Sequence, residues 1–486
     1  MTNEITLQPT GVTGLDSVLN GGLTHPSLVL IVGAPGAGKT VLASQILFTA
    51  ARQGLNALVM TSFSEGVEQY LQHMQSFSFF DPTLLGDQVQ LYTLASQLTE
   101  EGATITSSIT RTIRATGAKI VLLDGLQGVA PLMPETYSTR VLLAMLASQI
   151  RYLNVVVLVT MAGEARDPAF HAELTVADAA IGLRYSAEGR RHQRLLEVVK
   201  LRGRAQQPGL HSYQLDASGL RVFPRVEGAA PPAARPAPAE RAPFQLPELD
   251  ALLGGGPNVG STMVLAGAPG VGKTLLGLYW ALAGASGDAT SLIVTFAEHP
   301  AQLERKADAF GLELRSATAS GRVKVVRLPA RDVNPDEVAA LVLSELAAQR
   351  VTRVVIDDLR VLIDELGERA RSYLSALNDV IYAANATALY LLEVAPFVGL
   401  RVDLTATPLA VLGDTVVVVQ QYEIAGGLRR LLAVLRMRFS DFDRTIRELV
   451  LDAHGVRILT PDQSKLGLLT TGAELSGGVA PQEGDQ

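Results

Sequence analysis

Two stretches of eight residues have the make-up of a phosphate cradle. Gly33-Ala-Pro-Gly-Ala-Gly-Lys-Thr40 and Gly267-Ala-Pro-Gly-Val-Gly-Lys-Thr274 both read G-x-x-x-x-G-K-[ST]. Gly33, Gly36 and Gly38, like Gly267, Gly270 and Gly272, let backbone N–H groups close around phosphate oxygens with no side chain in the way. The helix expected to follow adds its positive N-terminus. Lys39 and Lys273 have the reach to meet β- and γ-phosphates, and Thr40 and Thr274 are suited to Mg²⁺. The ordinary alternative is a glycine-rich turn with a chance lysine, which would have to arise twice, each time between an apolar strand and a helix. The cofactors implied are ATP and Mg²⁺.

Three further pairs recur. Asp124 in KIVLLD and Asp357 in RVVID each end an apolar run, as suits a carboxylate that holds a magnesium shell beside a P-loop; a strand-end aspartate that merely makes a turn is the bland reading. Glu65 and Glu298 follow the strand after the P-loop helix, where a carboxylate can orient the water that attacks a γ-phosphate. The bland reading is a solvated first-turn glutamate. Lys200 with Arg202, and Arg436 with Arg438, are spaced two apart on a late strand and so share a face. They read either as cationic fingers that stabilise phosphoryl-transfer charge on a neighbour's ATP or as an exposed charged strand face. The seven histidines show no H-E-x-x-H, and no G-x-S-x-G occurs, so catalytic zinc and a serine-hydrolase elbow have no support.

The elements that must position these residues come in two sets. Lys39 to Lys273 is 273 − 39 = 234, Asp16 to Asp250 is 234, Glu65 to Glu298 and Asp124 to Asp357 are each 233, and Lys200 to Arg436 is 236. Constant order and spacing mark a whole-domain duplication, far longer than the ~20–50-residue period of a solenoid. In each copy short apolar runs alternate with helical patterns. In the first they are Leu28–Val32, Ala57–Met60, Val89–Thr93, Ile120–Leu123 and Val155–Thr160, with a helix from Val67 to Gln75. This predicts an α/β fold with a mostly parallel sheet covered on both faces. Adjacent late runs, IGLRY, LLEVVKLR, HSYQL and LRVF, predict an antiparallel extension. The expected layout is a first domain over 1–226, an Ala/Pro-rich linker over 227–243, a second domain over 244–462 and a mobile tail over 463–486. The linker has seven Ala and five Pro in seventeen residues and favours extended conformations.

Composition sets the outer bounds. The 486 residues are 48% hydrophobic and 18% charged, enough apolar content for large cores. The net charge is 41 − 48 = −7, which argues against a protein that coats nucleic acid. There are no cysteines, so disulfides and thiolate chemistry are absent. MTNEITLQPT lacks the features of a signal peptide, and no apolar run approaches the ~20 residues of a membrane span. A cytoplasmic location with no membrane partner is the expectation.

The chain resembles the KaiC-like branch of the RecA/RadA ATPase superfamily in its two-domain form. The resemblance rests on TGVTGLDSVLNGG, both P-loops, FAEHPAQL, VVIDDL, VVKLRG and DTVVVVQQYEI before LRMR. It implies two tandem RecA-like domains, a slow ATPase, a homo-oligomeric, two-tiered hexameric ring with ATP between subunits, and small regulatory protein partners (KaiB-like or signalling proteins). It also implies an autokinase in the second domain, whose two adjacent hydroxyl acceptors fall here on Ala410 and Val411. The paired glutamates of the clock protein are reduced to Ser64-Glu65 and Ala297-Glu298, and Arg436 and Phe439 replace a lysine and a glycine. A ring ATPase that signals through its nucleotide state, without this Ser/Thr phosphorylation, is therefore expected. The competing readings are a DNA recombination or repair accessory ATPase, an autokinase using other acceptors such as Thr405 or Thr407, and a module that binds ATP only to join subunits. DNA binding needs several phosphate contacts, and the stretch from Asp124 to Asn154 offers only Arg140 and Arg151 as basic residues.

Overall fold

The computed structural model describes residues 6–61, 66–94, 105–128, 139–168, 171–188, 191–228, 240–394, 413–424, 427–438, 440–452 and 455–460. Glu65, Thr405, Thr407, Ala410, Val411 and Phe439 lie outside them. The chain divides into two units, Met1–Ala229 and Ala230–Gln486.

In the first unit, β1 (Thr6–Gln8), α1 (Leu15–Val18) and β2 (Leu23–His25) precede the central strand β3 (Ser27–Gly33). There follow α2 (Lys39–Arg52), β4 (Ala57–Thr61), α3 (Val67–Met74), β5 (Val89–Thr93), α4 (Ile105–Thr116), β6 (Ile120–Asp124), α5 (Thr139–Leu153), β7 (Val156–Ala162) and α6 (His171–Val176). The unit closes with β8 (Ala179–Glu188), β9 (Arg191–Leu201), β10 (His211–Asp216) and β11 (Gly219–Phe223). Among the described residues the main sheet runs β11-β10-β9-β8-β3-β7-β6-β4-β5. The last six in that order pair in parallel, and β9, β10 and β11 are added antiparallel. This is the architecture the alternation of apolar runs predicts.

Every residue of β3 is buried, because both faces of the sheet are covered. Val29 and Ile31 join Ile46 and Phe48 of α2 in one core. Leu28, Leu30 and Val32 join Leu142, Leu146 and Ile150 of α5 in the other. A strand with helices on both sides has no polar face, so its sequence reads as continuous rather than alternating.

The second unit repeats the plan. Its elements are α7 (Pro247–Leu252), β12 (Thr262–Gly267), α8 (Lys273–Gly284), β13 (Thr290–Thr295), α9 (Pro300–Ala309), α10 (Leu314–Ala319), β14 (Val323–Arg327) and α11 (Pro335–Ala348). After these come β15 (Val351–Asp357), α12 (Leu359–Leu366), α13 (Ala370–Ala383), β16 (Thr387–Glu393), β17 (Thr415–Ile424), β18 (Gly427–Met437), β19 (Arg447–Asp452) and β20 (Gly455–Leu459). The sheet order is β14-β13-β15-β16-β12-β17-β18-β19-β20.

One interior position departs from the plan. Arg353 on β15 is only 6% exposed, where the repeat offset of 233 puts Ile120 in the first unit. Its Nη1 donates to the carbonyls of Pro243 at 2.8 Å and Trp280 at 2.6 Å, and its guanidinium lies 4.9 Å from the Trp280 ring centre. Burial lowers its pKa to about 10, against the pull of Asp250. Trp280 Nε1 in turn donates to Ala242 at 3.0 Å. The chain leading into α7 is thus fastened to the core by a buried cation whose hydrogen bonds are to backbone oxygens.

Candidate active sites

Each P-loop joins the C-terminal end of the central strand to a helix that begins at its lysine. Gly38 and Gly272 have φ of 93° and 104°, a left-handed turn that glycine adopts without strain. A Cβ on Gly33 would come 2.6 Å from the Leu183 carbonyl, and one on Gly267 2.4 Å from that of Val419. The loop therefore packs against the next strand of the sheet with no room for a side chain. Lys39 Nζ donates to the Ala34 carbonyl at 3.0 Å, and Lys273 Nζ to those of Gly267 at 2.9 Å and Ala268 at 2.8 Å. Both lysines lie folded along the loop that a nucleotide's phosphates would meet.

Asp124 ends β6 beside the first P-loop. Thr40 Oγ1 donates to its two oxygens at 3.0 and 3.2 Å, and Thr160 Oγ1 donates to Oδ1 at 2.6 Å. Burial raises the Asp124 pKa; the two threonine hydroxyls and Lys39 oppose that rise. In the second unit Thr274 Oγ1 reaches Asp357 Oδ1 at 3.4 Å. Burial pushes Asp357 up to about 6; Thr274 opposes this, Glu298 adds to it, and Lys306 opposes it.

The donor sets fit magnesium. Among the described residues no cluster of three or more His, Asp or Glu side chains can cage a metal. Magnesium does not need one: it keeps waters and takes one or two carboxylates plus nucleotide phosphates. Thr61 and Thr295, 234 residues apart, lie level with Asp124 and Asp357 on the neighbouring strands. Their buried hydroxyls have no partner among the described residues, which leaves polar groups beside each aspartate for a hydrated ion.

Glu298 lines a cleft of about 420 Å³ together with Lys273, Thr274, Asp357 and Ala297. Glu298 is ion-paired with Lys306 of α9. In the first unit Thr40 lines a cleft of about 990 Å³ with Glu68, His73 and Phe77.

The basic pairs stand elsewhere. Lys200 and Arg436 are in the last turns of the pleat of β9 and β18, and Arg202 and Arg438 lie just beyond the strand ends. A bulge immediately precedes Lys200 and Arg436 in both units, and such a bulge re-aims the side chains that follow it. Lys200 Nζ donates to Leu174 at 2.7 Å and Thr175 at 3.0 Å, and Arg436 donates to the Gly413 carbonyl. Arg202 Nη1 pairs with Asp178 Oδ1 at 3.2 Å, and Asp178 Oδ2 accepts from the Leu28 N–H at 3.0 Å. Arg438 and Asp414 repeat this at 3.6 Å, with Asp414 accepting from Thr262 N–H at 3.2 Å. Leu28, the second residue of β3, and Thr262, the first of β12, lie at the far ends of the central strands that end at Gly33 and Gly267. At ~3.3 Å per residue, five residues put each arginine's anchor about 17 Å from its own P-loop.

A model of the KaiC-type ATPase domain matches the chain twice, over residues 8–227 and 242–463. The chain belongs to the KaiC family of ATPases. It is 26% identical to the circadian clock oscillator protein KaiC of Picosynechococcus sp., over 92% of this chain and 88% of that one. It shares the same identity with KaiC of Thermosynechococcus vestitus, over 94% and 89% of the two chains, and with KaiC 1 of Synechocystis sp., over 90% and 86%. Among the described residues no helix is long and apolar enough to cross a membrane.

The KaiC-family motifs do not announce every residue that shapes these sites. Tyr213 on β10 donates its hydroxyl to the Ala37 carbonyl of the first P-loop at 2.6 Å, and Arg194 on β9 donates to that of Gly36 at 3.0 Å. Arg194 also lies 4.8 Å from the Tyr185 ring centre. The antiparallel extension thus braces the loop from the side. Phe77 and Phe310 line the two clefts at a separation of 233; the repeat offset applied to aromatics alone would have exposed them.

Proposed function

We propose that the chain is a two-site, magnesium-dependent ATPase that assembles as a homo-oligomeric, hexameric ring and signals through its nucleotide state to protein partners. Each P-loop with its lysine, threonine and aspartate binds one ATP. Mg²⁺, held by Thr40 and Asp124 or by Thr274 and Asp357, would neutralise charge on the β- and γ-phosphates. Glu65 and Glu298 orient the attacking water, and a single glutamate where the clock protein has a pair suits slow turnover. Lys200, Arg202, Arg436 and Arg438 act on the nucleotide of the neighbouring subunit.

The observation that carries this reading is the distance between each arginine and its own P-loop. A side chain anchored about 17 Å away along the central strand is too far to serve its own nucleotide, which supports action on a neighbouring copy. The test is mixing. Lys39→Ala and Arg202→Ala subunits, each inactive in the first tier alone, should regain phosphate release when co-assembled. No recovery in rings that contain both would refute action in trans.

The second tier hydrolyses ATP without a Ser/Thr phosphorylation cycle. Ala410 and Val411 have no nucleophilic oxygen, and Ala297, where the clock protein has its first glutamate, offers no base. Incubation with γ-labelled ATP followed by peptide mapping should show no stoichiometric label between Leu400 and Thr415. Label on Thr405 or Thr407 would overturn it.

A further inference from the structure

The second cleft contains a cation that none of the motifs accounts for. Glu298 lies immediately before α9, at whose start His299 and Gln302 form a reciprocal capping box, with the His299 N–H donating to Gln302 Oε1 at 2.9 Å. Eight residues on, Lys306 reaches back along the helix to Glu298 Oε1, and both line the cleft with Lys273, Thr274 and Asp357.

Helix geometry does not impose this pair. Side chains three or four apart are neighbours on a helix, and the residues four before and after Lys306 are Gln302 and Phe310. The two acids of α9 itself, Glu304 and Asp308, are both taken by Arg315, at 3.4 and 3.1 Å. Lys306 is thus left to Glu298. Nor does stability explain it: the side chains are 34% and 28% exposed, and pairs that meet water contribute little. What the pair does fix is the carboxylate. A glutamate on a loop before a helix has three side-chain torsions free, and an acceptor misplaced by even ~1 Å loses up to about 10²-fold in rate.

We propose that Lys306 is a positioning residue of the second active site, holding Glu298 Oε1 so that Oε2 faces the water that attacks the γ-phosphate. This rests on the water-orienting role given to Glu298 above. The offset of 233 that relates Glu65 to Glu298 puts His73 at the equivalent place in the first unit, where it lines the cleft beside Thr40.

The test uses the full chain carrying Glu65→Gln, so that the first cleft keeps its nucleotide while its hydrolysis is suppressed. Adding Glu298→Gln defines the release that belongs to the second site. Lys306→Met should lower that release about 10-fold in kcat and leave KM within about 2-fold, the pattern of an interaction that matters in the transition state. Lys306→Arg, which restores a cation of similar reach, should recover most of the rate. An unchanged or faster Lys306→Met, a change confined to KM, or an Arg variant as slow as Met would each overturn the proposal. If Glu298→Gln itself leaves release unchanged, the water-orienting role fails first and takes this inference with it.

Discussion

Asp124 and Asp357 end equivalent strands beside equivalent P-loops, but they keep different company. Gly33 pairs with Ala162, and Gly267 with Glu393. Two residues back along the same strands, Thr160 in the first unit therefore corresponds to Leu391 in the second. Asp124 gains a 2.6 Å hydrogen bond from that threonine, whereas Asp357 lies level with the leucine. The following residue is Gly125 in the first unit and Asp358 in the second. The second cleft also holds Glu298 and Glu393, and its cations are Lys273 and Lys306. The first site steadies its carboxylate with hydroxyls; the second gathers carboxylates and balances them with lysines. One motif can thus be set into two electrostatic frames by residues outside the motif.

Five substitutions test how deep this difference runs, beginning with the largest effect. Arg353→Leu restores the apolar character that Ile120 has in the first unit, yet leaves the carbonyls of Pro243 and Trp280 without their donor. It should cost the second unit about 3–5 kcal/mol, seen as an earlier unfolding step in denaturant with the first unit's step unmoved. A neutral result would mean that the two units have interchangeable cores at this position.

The next effect is electrostatic and has the opposite sign. The folded state raises Asp357 from the ordinary carboxylate range to about 6. A group raised in this way binds its proton more tightly when folded. Its contribution to stability is complete below about pH 4 and is lost as pH climbs through about 6. In buffer without metal or nucleotide at pH 8, Asp357→Asn should therefore stabilise the second unit by about 3 kcal/mol, and thermal melts at pH 4 and pH 8 measure it. Asp124→Asn should stabilise the first unit less, since Thr40 and Thr160 favour the ionised form. Equal gains would erase the distinction between the two carboxylates.

Tyr213→Phe removes only the hydroxyl that meets the Ala37 carbonyl. The repeat offset of 236 puts the buried Leu449 at its place in the second unit. The loss should be about 1 kcal/mol of stability and a weaker first site, with the second site's affinity unchanged in a titration that resolves the two. The smallest effect belongs to Asp358, held at φ 70°, like Gly125 at 70°. Asp358→Gly copies the first unit and should stabilise the second by about 0.5–1 kcal/mol, read as a higher unfolding midpoint.

Most of the scaffold was legible because its signals are local. β3 to β7 fall within a residue or two of the expected apolar runs, and α3 ends one residue before the expected Gln75. The P-loops and strand-end aspartates were legible because their chemistry depends on neighbours in sequence. The rest depends on partners far along the chain. Thr160 meets Asp124 across 36 residues and Tyr213 meets Ala37 across 176, so neither contact has a spacing to read. Arg353 sits inside an apolar strand as a charge, and its reason, the carbonyl of Pro243, is 110 residues away. Lys306 reads as an ordinary exposed helix lysine until the fold brings Glu298 to it.

The Arg353 fastening also restricts the order in which the sequence can change. A Cβ on Gly284 would lie 2.2 Å from Arg353 Cδ, so Gly284 cannot take a side chain while the arginine remains. The arginine cannot shrink first without stranding two backbone oxygens. A route from this core to the aliphatic one of the first unit therefore passes through a disfavoured intermediate whichever residue moves first. Gly284 and Arg353 should persist or disappear as a pair, and a drifting lineage would find that step closed long after the surface around it had been rewritten.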